Sequence, residues 1–216
     1  MENNNSNNQQ HQYCDHQGAA QSYDHKEGSC KNYQGALQHP KRWSRHGSTR
    51  YIWNQEQFQS AMIYVKDYQG EMMTYFESPK IDLKQLSTNP LAYFITFHTY
   101  GTWLHGDPRG SVDSMHNAYG TPMIPSSPSL YKHKQDMLSH SPYFLDEPGR
   151  VVVLKAIIEV CHYRNWHLHS IHVRNDHVHV IVSANARPEK VMNDFKAYAS
   201  RALNIVLRPS GSSSEL

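Results

Sequence analysis

Two histidines separated by one hydrophobe, His177-Val178-His179, stand inside the run HSIHVRNDHVHVIVS at 169 to 183. On an extended strand, residues two apart project from the same face, so the two imidazoles lie side by side and make half of a metal site. Two strand histidines hydrogen-bonded to their neighbours have the same spacing, so the triplet alone leaves both readings open. The flanking Ile171, Val173, Val180, Ile181 and Val182 predict a β-hairpin with Asn175 and Asp176 at its turn. His177, His179, Ile181 and Ser183 share one face of it. Val178, Val180 and Val182 point the other way, which suits packing under helices and leaves the histidine face for chemistry.

A helix is predicted next, over PEKVMNDFKAYASRALNIV at 188 to 206, with Pro188 opening it and Glu189 in its first turn. Val191, Phe195, Tyr198, Ala202 and Ile205 recur at helical spacing and form a stripe to lie on the sheet, which places Tyr198 inward. A tyrosine on such a stripe also serves as plain core with its hydroxyl at the rim. Asp194, one turn before Tyr198, adds a carboxylate to the same surface.

Two strand histidines followed by a helix with one tyrosine resemble the constellation of the HUH single-strand endonucleases, in which U is a hydrophobe. Three blocks narrow the resemblance: AYFITFHTYGTWLHGDPRGSVD at 92 to 113, NDHVHVIVSA at 175 to 184 and VMNDFKAYASRALN at 191 to 204. Together they resemble bacterial single-tyrosine transposases of the insertion-sequence and REP-associated kinds, over most of residues 41 to 205.

The resemblance implies a metal-dependent enzyme that nicks and transfers single-stranded DNA, the chemistry of DNA transposition. A divalent ion, Mg2+ or Mn2+, held by His177 and His179 polarises the scissile phosphate, and Tyr198 attacks phosphorus to give a 5′-phosphotyrosine intermediate. In such enzymes a third ligand can come from one turn after the tyrosine, where this chain has Ala202. Helix geometry makes Asp194 the candidate in its place, with His98 and Asn193 behind it. A hairpin or palindromic single strand as the DNA, and a homodimer as the assembly, follow from the resemblance alone.

Chain order departs from the family. The segment KRWSRHGSTRYIWNQEQFQSAMIYVKDYQGE at 41 to 71 resembles what normally follows the tyrosine helix, yet here it comes first, as in a circular permutation. In a ferredoxin-like βαββαβ sheet of order 4-1-3-2 the last strand lies antiparallel beside the first, so strand four can feed strand one. The expected fold is therefore α+β, an antiparallel sheet with helices on one face and the histidine pair on a central strand. Residues 49–54 form strand four, 55–68 a helix, 81–90 a linker, 92–99 strand one, 149–165 helix one and 167–174 strand two, with a long loop over 122–142.

At 216 residues the chain suits one catalytic domain with appendages. Residues 1–40, rich in Asn, Gln, His, Ser and Gly, read as a disordered polar tail. Residues 41–90 form the permuted strand-helix segment and linker, 91–207 the remainder of the domain, and 208–216 a flexible C-terminus. The three cysteines have no metal-finger spacing, and no apolar run approaches a membrane span, which places the protein in the cytoplasm with no membrane partner.

The net charge of +2 gives little support for a nucleic-acid partner by itself, but its distribution does more. Lys41, Arg42, Arg45, His46 and Arg50 cluster beside Trp43, Tyr51 and Trp53, which mixes cations for phosphates with rings for unstacked bases. Lys41, Arg42, Arg45, Arg50, Trp53 and Arg174 are the DNA-binding candidates, and Arg109 is a weaker one. Tyr100, Trp103 and His105 carry no assigned role. Two other readings stay open: an inactive remnant that binds single-stranded DNA, and a replication initiator or relaxase, whose chains are usually larger.

Overall fold

The computed structural model describes residues 41–79, 83, 88–111 and 122–206, and two short strands before them. Those two, β1 (Gln21–Tyr23) and β2 (Cys30–Asn32), pair antiparallel. The remainder of the expected polar tail and the expected flexible C-terminus lie outside the described residues.

The body begins with β3 (Trp43–Ile52), α1 (Gln55–Asp67) and β4 (Thr74–Glu77). Next come β5 (Ala92–Thr99), α2 (Pro128–Asp136), α3 (Glu147–Tyr163), β6 (His167–Val173), β7 (His177–Ser183) and α4 (Pro188–Val206). Five strands form one sheet of order β3-β5-β7-β6-β4, and each neighbouring pair is antiparallel. The order expected for four strands is the order of β3, β5, β7 and β6. The fifth, β4, was not anticipated, because TYFE is four residues long, half-buried and on an edge.

Strand alternation sorts the sheet into two faces. Ile95 and Phe97 of β5, Ile171 and Val173 of β6, and Val178, Val180 and Val182 of β7 face α3 and α4, and form the main core with Val153, Ile157, Val160, Phe195 and Leu203. The opposite face carries Phe94, Thr96 and His98 of β5 beside His177, His179 and Ile181 of β7. There α1 buries Ala61 and Val65, with Phe58 and Met62, against Ile52, Ala92, Phe94 and Ile181. The helices therefore flank both faces, where one was expected. The physical reason is that α1 has an apolar stripe to cover, and Phe94 and Ile181 give the histidine face an apolar patch to receive it.

Local chemistry fixes the helix ends. Asn54 caps α1 by accepting the Gln57 N–H at 2.9 Å, and Asp146 caps α3 by accepting that of Gly149 at 2.8 Å. Ser127 and Pro128 start α2 inside the expected long loop. On α4 the buried residues are Pro188, Val191, Met192, Phe195, Ala199 and Leu203, so the inward stripe is rotated from the expected one and Ile205 is exposed. Among the described residues no helix is long and apolar enough to cross a membrane.

Candidate active site

The β5–β7 ladder sets His98 opposite His177 and Thr96 opposite His179, and the β7–β6 ladder continues the row from His179 to His172. The rings of His177 and His179 lie with centroids 4.6 Å apart, so the strand spacing brings the pair together. Each has its Nδ1 engaged: that of His177 stands 2.6 Å from Asp176 Oδ1 and that of His179 2.7 Å from Thr96 Oγ1. No described protein group bonds either Nε2. Such outer partners fix the orientation of an imidazole and leave the far nitrogen for a cation.

Electrostatics agree with neutral imidazoles at His179 and His98. Burial, reinforced by the neighbouring His177, pushes His179 down to about 2 and His98 down to about 3. At Asp176 burial pushes the carboxyl up, but the hydrogen bond from His177 and the nearby positive charge of Arg109 help to outweigh it, and the group is lowered to about 2. The pair thus offers two unprotonated Nε2 donors if each Nδ1 carries its hydrogen. Among the described residues no group of three or more His, Cys, Asp or Glu side chains is arranged to hold a metal ion.

Neither residue expected from α4 joins this site. Because α4 packs on the valine face, the sheet separates Tyr198 from the histidines that project from the other face. Tyr198 packs at the edge of the main core, with the Arg201 guanidinium 4.8 Å from its ring centroid. Asp194 pairs with Arg164 at 3.1 Å and Lys190 at 3.0 Å, and Asn193 is exposed on the same helix. The expected nucleophile and third ligand are corrected on this ground: alternation in β7 sends the helix that follows it to the side opposite the histidines.

A tyrosine that shares the histidine face and meets His179 is Tyr64 of α1. Its ring stands edge to face against His179 with centroids 5.7 Å apart, contacts Phe94 at the same distance, and is 44% exposed. A latch holds this turn of helix in place. Buried His172 donates from Nδ1 to the carbonyl of Val65 at 3.0 Å and accepts the Met73 N–H on Nε2 at 3.1 Å, so neither nitrogen is left for a cation. Tyr75, also on this face, is tied to Glu77 Oε2 at 2.7 Å, and burial raises its phenol to about 12. Sequence did contain a signal for Tyr64: it adjoins Val65 on a helix whose apolar stripe needed a sheet face.

The expected DNA contacts divide. Arg42 is only 7% exposed, donates from Nε and Nη2 to Asn204 Oδ1 at 3.3 and 3.0 Å, and covers the Tyr143 ring. It is a structural clamp, which corrects its reading as a phosphate contact. Lys41 is exposed beside the Tyr100 ring, and Arg45 and Arg50 are exposed on β3. Arg50 pairs in register with Phe94 and so lies on the histidine face. Trp53, 56% exposed, stacks on Tyr51, which pairs with Tyr93 on the valine face. Arg174 donates to the carbonyl of Glu71 at 2.9 Å, just beyond the end of α1.

No curated protein and no solved structure matches this chain. A family model does: the one described as Transposase IS200 like matches residues 141–208, from the approach to α3 through β6 and β7 to the end of α4. Tyr64 lies outside the matched residues. The matched segment, which carries both histidines, is similar to the IS200-like transposases.

Proposed function

We propose that this protein nicks and rejoins single-stranded DNA with Tyr64 as the nucleophile and with His177 and His179 holding Mg2+ or Mn2+. The family match supports a transposase-type function with DNA as the partner. The observation that carries the finer reading is the phenol ring of Tyr64 against His179 on the half-open histidine face.

A bound divalent ion supplies positive charge for the scissile phosphate and favours the phenolate of a nearby tyrosine. Thr96 and Asp176 orient the two imidazoles. The Tyr64 oxygen forms a bond to phosphorus, the bond from phosphorus to the 3′ oxygen of the preceding nucleotide breaks, and the phenolic proton passes to solvent while the leaving oxygen takes one up. The 5′-phosphotyrosine keeps the phosphodiester energy, so attack by another 3′-hydroxyl reverses the step and joins a new strand. Arg50, exposed on β3 and in register with Phe94 on this same face, suits a phosphate of the bound strand. The placement of β3 and α1 ahead of β5 reads as circular permutation, since β3 lies antiparallel beside β5. The lack of a group of three His, Cys, Asp or Glu arranged to hold a metal among the described residues favours a second reading, an inactive DNA-binding remnant.

Purified protein, Mn2+ and labelled single strands and hairpins from the DNA flanking the gene test both. A denaturation-resistant adduct that is lost in Tyr64→Phe is the expected result. An adduct that persists in Tyr64→Phe overturns the assignment, and binding with no adduct selects the remnant.

A further inference from the structure

The loop that follows β5, TYGTWLHGDPRG at 99 to 110, folds into a brace against the β6–β7 turn. The backbone carbonyl of Asp176 accepts the Thr99 N–H at 2.8 Å, the Thr99 hydroxyl at 3.0 Å and the Thr102 hydroxyl at 3.1 Å. Its carboxylate divides its oxygens: Oδ1 takes the Nδ1–H of His177 at 2.6 Å, and Oδ2 faces Arg109 Nη1 at 3.6 Å. Arg109 is itself held as a fork. Its Nε and Nη2 donate to Asp107 Oδ1 and Oδ2 at 2.9 and 2.8 Å, and Nη2 donates also to the Thr102 carbonyl at 3.0 Å. Trp103 lies beside this guanidinium, donates to the Gly110 carbonyl at 2.7 Å, and sets its edge against His98.

We propose that Asp107 and Arg109 are positioning residues for His177, acting through Asp176. The chain Asp107, Arg109, Asp176, His177 alternates acid, base, acid and imidazole, so each charge fixes the next. Asp107 sets the plane of the Arg109 fork. Arg109 occupies the outer oxygen of Asp176 and leaves the inner one for the imidazole. Asp176 then keeps His177 in the Nδ1–H tautomer with Nε2 toward the face shared with His179 and Tyr64. Arg109 is thereby committed to the protein, and its earlier reading as a weak phosphate contact gives way to this role. The proposal rests on the metal-binding reading of His177 above.

Two measurements separate its failure from the failure of that reading. The first is imidazole 15N chemical shifts of metal-free protein, which report the His177 tautomer. The second is calorimetric titration with Mn2+ alone. Wild type should show the Nδ1–H form; Arg109→Gln and Asp107→Asn should show a mixture of tautomers and bind Mn2+ about tenfold more weakly. Arg109→Lys, which keeps the charge but not the fork, should fall between. Circular dichroism confirms that each variant is folded, and a variant that is not folded is replaced by the lysine form. Unchanged tautomer and unchanged Mn2+ affinity in a folded Arg109→Gln overturn the proposal. If wild type binds no Mn2+ while the tautomer still shifts in Arg109→Gln, the positioning role holds and the metal reading falls.

Discussion

Tyr64 and His179 meet edge to face between α1 and β7, with ring centroids 5.7 Å apart and planes at 75°. Tyr198 has the valine side of the same sheet, where its hydroxyl has no hydrogen-bond partner among the described residues. Tyr198→Phe should therefore keep adduct formation within about twofold of wild type. Its stability should change by less than about 1 kcal/mol, read by urea denaturation. Loss of the adduct in this variant would return the nucleophile to α4.

His172 joins α1 to the sheet by two hydrogen bonds to backbone, at Val65 and Met73. Replacing it with Phe keeps the volume and strands both groups, at about 1–3 kcal/mol for each that stays buried. The expected outcome is a lower urea midpoint, faster hydrogen exchange at the Met73 amide, and slower adduct formation as Tyr64 loses its fixed place. Unaltered exchange at Met73 would show that the latch is not holding that turn.

Two arginines near the start of the body should behave oppositely. Arg42 is buried against Asn204 and Tyr143, and Arg50 is exposed on the histidine face. Arg42→Ala should cost stability, about 1.5–3 kcal/mol for a charged hydrogen bond, with an unchanged salt slope of DNA binding. Arg50→Ala should reduce the slope of log affinity against log salt by about 1. The reverse pattern would show that the arginines have been assigned to the wrong tasks.

Acid should weaken the fold over a defined range. Burial lowers His169 to about 3, His98 to about 3 and His179 to about 2, and moves His172 in the same direction. The unfolded chain takes up protons on these imidazoles near about 6.5, while the folded protein does not until far lower pH. Stability is thus full above about 6.5 and is lost as pH falls toward 3, with Asp176 adding its own loss below its ordinary carboxyl range. The urea midpoint should drop between pH 7 and pH 5, and His169→Gln should make the drop shallower. A flat midpoint over that range would show these imidazoles charged in the folded state.

Period-two alternation in β7 made the geometry of the histidine pair legible, and the bounds of β5 and β6 followed from runs of apolar residues, whereas α3 begins and ends two residues before its expected bounds. The same alternation already implied that a helix covering Val178, Val180 and Val182 cannot offer its tyrosine to His177 and His179. The inward stripe of α4 was read as facing the metal because it follows the histidines in sequence, but adjacency along the chain is not adjacency across a sheet. Arg42 was misread for a related reason. A run of cations looks solvated until a distant partner, here Asn204, is brought to one of them, and composition has no view of that. The coupling of the β5 loop to Asp176 was equally hidden, since it joins residues that only the β5–β7 ladder brings together.

The order of α1 before β5 and β7 has a consequence for synthesis on the ribosome. The phenol emerges early and the imidazoles late, and Phe58, Ala61 and Val65 have no sheet to lie on until Ile181 has left the exit tunnel. On the proposed reading the site assembles only when β7 closes against β5, and until then the apolar stripe of α1 is left uncovered.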